Sequence, residues 1–161
     1  MHFRKLQWLF PIAVLLHNGE EAIWMPGWVA SHVAQLLMHP PGSATIRIAL
    51  AVLTVTAFVI TCLSVSNGPN SIWAYLTFGS VVAMLVNVFV PHVPATVVLR
   101  AYTPGVVTAV LINLLVMSFL AVLAVRDRWV FGWKAAAFAV GVPLLVGGAI
   151  AALFLAGNVV L

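Results

Sequence analysis

Charge is what this chain lacks most. Its 161 residues include only three acids and seven Lys or Arg, so 6% of residues are charged and 64% are hydrophobic. Soluble domains carry about 25% charged residues, so a soluble globular protein is excluded. The single cysteine, Cys62, rules out an intramolecular disulfide and reads as a small apolar filler. Acids are too few for a solvated acidic face. The net charge of +4 does not point to nucleic acid, because the basic residues cluster at the ends of apolar runs. A cleavable leader is not expected: Glu20 and Glu21 follow the short apolar stretch after Arg4 and Lys5, and no small-x-small site fits. No internal repeat is evident.

What remains is an all-α polytopic membrane bundle of about five transmembrane helices, forming one domain over residues 1–161. The spacing predicts spans at about 6–28, 45–65, 72–90, 103–125 and 135–154. Pro26-Gly27 is expected to end the first. A short interfacial helix is expected over Ser31–Met38, stopped by His39-Pro40-Pro41-Gly42. Pro91-His92-Val93-Pro94 should break the third. Thr103 suits an N-cap and Pro104 a first helical position for the fourth. The fifth span has no ionisable residue and reads as a lipid-facing or scaffold helix. Arg4, Lys5, Arg126, Arg128 and Lys134 fall on one side, Arg47 and Arg100 on the other. By the positive-inside rule the N-terminus lies in the cytoplasm and the C-terminus outside.

Against this apolar background His17-Asn18-Gly19-Glu20-Glu21 stands out. An ionised acid at the centre of a span costs roughly 2.5–3.5 kcal/mol, so two glutamates cost roughly 5–7. The apolar residues of the segment return roughly 2–4 kcal/mol. The carboxyls therefore need partners, and intramembrane ionisable residues are functional by default. Residues i, i+3 and i+4 share a helix face, so His17, Glu20 and Glu21 point the same way. The topology places Asn87, His92, Tyr102, Thr108 and Asn113 in the outer half of the same bundle. Spans one, three and four would then enclose a polar cavity.

The bland readings are definite too. Glu20 and Glu21 would pair with Arg47 and Arg100. His17 would be a neutral histidine bonded to a neighbouring helix, and His92 an interfacial residue. Asn87 and Asn113 would be interhelical glue, and Arg100 an anchor. His32, Gln35 and His39, at i, i+3 and i+7, form a weaker surface candidate.

Two stretches carry a resemblance. His17-Asn18-Gly19-Glu20-Glu21 has the H-x-x-E-E pattern. Asn87, His92 and Arg100-Ala-Tyr102-Thr-Pro104-Gly105-Val-Val-Thr108 are similar to a second motif with Tyr-x-Pro-Gly and a following threonine. Together they resemble the HXXEE family of small bacterial membrane proteins. The resemblance supplies a grouping and a motif, not a mechanism. The likeness to intramembrane CAAX-protease-like enzymes and seven-span zinc hydrolases is chemical only.

Three functions follow as expectations. The leading one is a membrane-embedded, metal-dependent, hydrolase-like enzyme acting on a lipidic or amphipathic substrate. His17, His92 and Glu20 or Glu21 would bind a divalent metal, zinc or iron. The remaining glutamate would act as general base or further ligand, and Arg100 would steady an anionic intermediate. The second is proton-linked transport by the same Glu/His pair, with a homodimer supplying the missing symmetry. The third is an accessory protein held together by ion pairs.

Overall fold

The computed structural model describes residues 2–33 and 40–156. Its elements are helical throughout: α1 (Phe3–Leu6), α2 (Leu9–Trp28), a π-helical turn Val29–Val33, α3 (Ser43–Asn67), α4 (Ile72–Asn87), a second π turn Val88–His92, α5 (Val93–Leu99), the single turn α6 (Val106–Thr108), a third π turn Ala109–Asn113, α7 (Leu114–Arg126) and α8 (Gly132–Ala156). Four stretches are long and apolar enough to cross a membrane: Ser43–Asn67, Ile72–Leu99, Val106–Arg126 and Gly132–Ala152. α2 is not among them, although its 20 residues are about 30 Å long, because the His-Asn-Gly-Glu-Glu segment dilutes its apolar character. It is carried by its neighbours, packing along α3 and meeting α7.

Three boundaries differ from the sequence expectation. α2 does not stop at Pro26-Gly27: Val29 N–H bonds to the Met25 and Pro26 carbonyls, and the chain runs on through the first π turn. The break near Pro91 is a kink rather than an end. Val90 alone leaves helical geometry (φ −148°, ψ 111°), since the residue before a proline is pushed to extended backbone. Helix winding then resumes in α5. Finally, Thr103 is not an N-cap and Pro104 is not helical. α6 starts at Val106 with Gly105 before it at φ 86°. The Thr103 hydroxyl bonds to Thr96 and to the His92 carbonyl instead. Of the expected Ser31–Met38 helix, Ser31–Val33 belong to the π turn, while Gln35 and His39 lie outside the described residues.

Each end of the bundle has its own polar clasp. At the Lys/Arg-rich end the Phe3 N–H donates to Asp127 Oδ2 at 2.9 Å. Ser64 Oγ donates to Gln7 Oε1 and accepts from Trp129 Nε1. Gln7, Ser64, Phe3 and Trp129 are fully buried there. At mid-length Asn18 Nδ2 ties α2 to α3 through Thr54 Oγ1 and the Leu50 carbonyl. Cys62 lies on the exposed face of α3, so it fills no core space. α8 packs most closely on α4, which makes it a scaffold helix with a broad outward face.

Two outcomes are expected. A Cβ at Gly79 would fall 2.6 Å from the Phe138 carbonyl oxygen and 2.6 Å from Val142 Cγ2. The oxygen is backbone and cannot swing aside, so Gly79→Ala should destabilise by about 1–3 kcal/mol, read as a lowered unfolding midpoint in detergent. The second concerns acid. The Phe3 N–H holds the Asp127 carboxyl below the ordinary aspartate range. This clasp is in full force above the ordinary value and fades as pH falls through the lowered one. The protection factor of the Phe3 N–H, its exchange measured against the intrinsic rate at each pH, should fall on acidification in the natural protein. If it does so equally in Asp127→Asn, the assignment is wrong.

Candidate functional site

α2 presents His17 and Glu21 one turn apart on a single face. The kink at Val90 swings His92 inward, so it is not the interfacial residue that its place at a helix end suggested. His17 is 1% exposed, His92 3% and Glu21 9%. The two imidazoles meet edge to face with centroids 4.9 Å apart. Glu21 Oε1 lies 3.7 Å from His17 Nε2 and 3.4 Å from His92 Nε2. One donor atom from each of the three falls within 4.8 Å of the others. Two ligands each about 2.1 Å from a tetrahedral ion stand about 3.4 Å apart. The separations are therefore those of a site that closes on a metal with small side-chain movements.

Glu20 does not join this cluster. Its Oε1 accepts from the Tyr102 hydroxyl (2.6 Å) and Gly105 N–H (3.2 Å), and its Oε2 from Thr108 N–H (2.9 Å) and the Thr108 hydroxyl (2.6 Å). The carboxyl thus takes up free N–H groups at the start of α6, where a negative group is favoured. Glu20 performs from α2 the capping that the sequence suggested for Thr103.

Thr108 links the two glutamate environments. Its one hydroxyl proton goes to Glu20 Oε2 at 2.6 Å rather than to the Gly105 carbonyl at 3.2 Å. Its oxygen then accepts from His17 Nδ1 at 2.9 Å. That hydrogen bond fixes the proton on Nδ1 and leaves the Nε2 lone pair pointing at Glu21 and His92. A carboxylate–hydroxyl–imidazole chain of this kind orients a metal-binding histidine. Asn87 Nδ2 lies 3.1 Å from His17 Nε2 and 3.0 Å from His92 Nε2.

The remaining expected residues divide. Tyr102 touches Glu20 and sets its ring against Trp24, 6.4 Å away. Burial, then the hydrogen bond to Glu20, pushes the phenol above its ordinary range, so it stays a proton donor. Asn113 is fully buried one turn beyond Thr108, with no partner for either side-chain polar atom. His17 meets Thr108 rather than Asn113. Arg100 is exposed in a left-handed turn at the end of α5. Arg47 donates to the Ala22 carbonyl. Among the described residues, neither arginine pairs with a glutamate. This overturns the ion-pair reading. His32 stacks on Trp28, away from the site.

Sequence reasoning overlooked Gly105. A Cβ there would fall 2.7 Å from His92 Cε1, 2.9 Å from His17 Cε1 and 3.0 Å from Glu21 Cγ, and its φ of 86° disfavours any side chain. Its backbone seals the three ligands. The signal was present as a Pro-Gly pair before an apolar run. Gly105→Ala should abolish divalent-metal binding. Thr108→Val, which removes the link between Glu20 and His17, should weaken it about 10–100-fold. Isothermal titration with zinc reads both outcomes.

The family pattern described as "protein of unknown function with HXXEE motif" matches residues 8–120. A relative in Bacillus subtilis (strain 168), the uncharacterized protein YrkK, is 34% identical over 109 residues, covering 68% of each chain. No solved structure matches. With motif residues His17 and Glu21 in the cluster and Glu20 tied to His17 through Thr108, the chain belongs to the HXXEE family.

Proposed function

We propose that the protein is a membrane-embedded metal-dependent enzyme, hydrolase-like, acting on a lipidic or amphipathic substrate. The observation that carries this is the convergence of His17 Nε2, His92 Nε2 and Glu21 Oε1 at ligand spacing. Two imidazoles and one carboxylate form a ligand set used by hydrolytic zinc. A zinc ion so held would lower the pKa of a water at the open position and supply hydroxide for attack on an ester or amide carbonyl. Glu20 holds His17 in its binding tautomer through Thr108.

A groove on the Glu20 side of the cluster supports the substrate class. It is shallow, about 520 Å³ in volume, and is lined by Glu20, Trp24, Tyr102, Val107 and Thr108. Its walls are mainly apolar, and its polar atoms belong to Tyr102, Glu20 and Thr108. An apolar tail would lie against Trp24 and Val107 with its polar head toward Tyr102. Counting from the Phe3–Asp127 clasp, the ligands lie about 21–27 Å along the bundle, near the far side of a hydrocarbon layer about 30 Å thick. With the Lys/Arg-rich end in the cytoplasm, the site sits below the outer surface of a bacterial plasma membrane.

The same two-histidine, one-carboxylate set also suits ferrous iron and oxidative chemistry. Proton-linked transport has one observation in its favour, the unbroken polar chain from Glu20 through Thr108, His17 and Asn87 to His92. Asn87 stands in the middle of it with an amide that does not titrate.

Elemental analysis of purified protein separates these readings. One equivalent of zinc is expected, lost in His17→Ala, His92→Ala and Glu21→Gln and retained in Glu20→Gln with about 10–100-fold weaker affinity. Stoichiometric iron with oxygen consumption would replace hydrolysis by oxidation. Metal-free protein giving pH-dependent flux in liposomes would overturn the enzyme reading.

A further inference from the structure

The amide of Asn87 stands where a metal would. Its nitrogen is 3.1 Å from His17 Nε2 and 3.0 Å from His92 Nε2, the two atoms that converge with Glu21 on the candidate centre. An amide nitrogen has two protons. Thr108 fixes the His17 proton on Nδ1, and an amide nitrogen donates but does not accept. Both Nε2 atoms are therefore acceptors, and the two protons of one amide satisfy both. Among the described residues, Asn87 is the N–H donor that both buried lone pairs have.

Asn87 is also placed to move. It is the last residue of α4, immediately before the π turn and three residues before the kink at Val90. The amide ends of an asparagine have nearly the same shape, so half a turn about its terminal torsion exchanges Nδ2 for Oδ1. With nitrogen inward the side chain donates to two imidazoles. With oxygen inward it offers a hard donor to a cation.

We propose that Asn87 is both the plug of the metal-free centre and the fourth protein ligand of the loaded one. It holds both imidazoles in place with its N–H groups until a divalent first-row ion displaces them, then turns its carbonyl oxygen to the ion. The centre becomes two imidazole nitrogens, one carboxylate oxygen and one amide oxygen, with a further position left for water. This rests on the metal-enzyme reading above and adds an occupant to it.

Cobalt(II) is the probe, because its visible absorption reports the number and type of its ligands. Full-length protein in detergent would be titrated as the natural chain, His17→Ala, Asn87→Ala and Asn87→Asp. Asn87→Ala should bind cobalt with an altered visible band, having lost an oxygen ligand. Asn87→Asp keeps an oxygen in place, has no N–H to displace and adds a charge. It should keep the natural band and bind more tightly than the natural chain. An unchanged band in Asn87→Ala, or affinity in Asn87→Asp no higher than in the natural chain, overturns the proposal. If Asn87→Ala does not fold, Asn87→Asp decides alone. Loss of cobalt in His17→Ala beside either overturning result leaves the metal-enzyme reading standing. A natural chain that binds neither cobalt nor zinc sinks both.

Discussion

Carboxyls set among apolar helices without cationic partners are the constraint on which this structure turns. Glu20 and Glu21 are adjacent in a helix surrounded by apolar chain, and the described residues contain no arginine or lysine paired with either. They are accommodated in two different ways. Glu20 gathers four hydrogen bonds from Tyr102, Gly105 and Thr108. Hydrogen bonds to charged groups contribute about 1.5–3 kcal/mol each, enough to offset an insertion cost of about 2.5–3.5 kcal/mol for one acid. Glu21 faces two imidazoles instead. One glutamate closes a helix end, and the other remains free to bind.

This division explains why the segment from Arg100 to Gly105 has its shape. A helix start must approach α2 closely enough for backbone N–H groups to reach Glu20, so the turn before α6 passes over the imidazoles with no room for a side chain. Gly105 meets both requirements through its left-handed φ and missing Cβ. The geometry that caps the helix is the same geometry that covers the centre. Stability and site are thus coupled through one residue, and Thr108 extends the coupling to the orientation of His17.

Much of this was legible from periodicity and cost. The apolar runs gave the helices, because long stretches without charge have few alternatives. The penalty for acids in oil singled out His17, Glu20 and Glu21, and counting along spans brought Asn87, His92 and Thr108 to the same end. What pattern could not supply was the split between the glutamates. Glu20 and Glu21 are chemically identical in sequence, and only the path of the chain around Gly105 tells capping group from candidate ligand. His92 follows the same logic: proline marked a break, but whether the chain turned inward or outward depended on the kink at Val90. Arg47 shows the opposite error. Opposite charges suggested a pair, yet its Nε reaches a backbone carbonyl on α2. Gln7, Ser64 and Trp129 were invisible because their network joins three distant stretches.

The two tethers between the first and fourth spans have a bearing on lipid thickness. Phe3 is fastened to Asp127 at one end and Glu20 to Thr108 at the other, with about 25 Å of helix between them on one side and about 28 Å on the other. The surplus is wound into the π turn at Ala109–Asn113. α8, at 25 residues, is about 37 Å long and packs chiefly on α4, so it can tilt to match a thinner or thicker bilayer. The tethered pair cannot slide. The distance from the Phe3–Asp127 clasp to the His17–Glu21–His92 cluster is therefore set by the polypeptide rather than by the lipid around it.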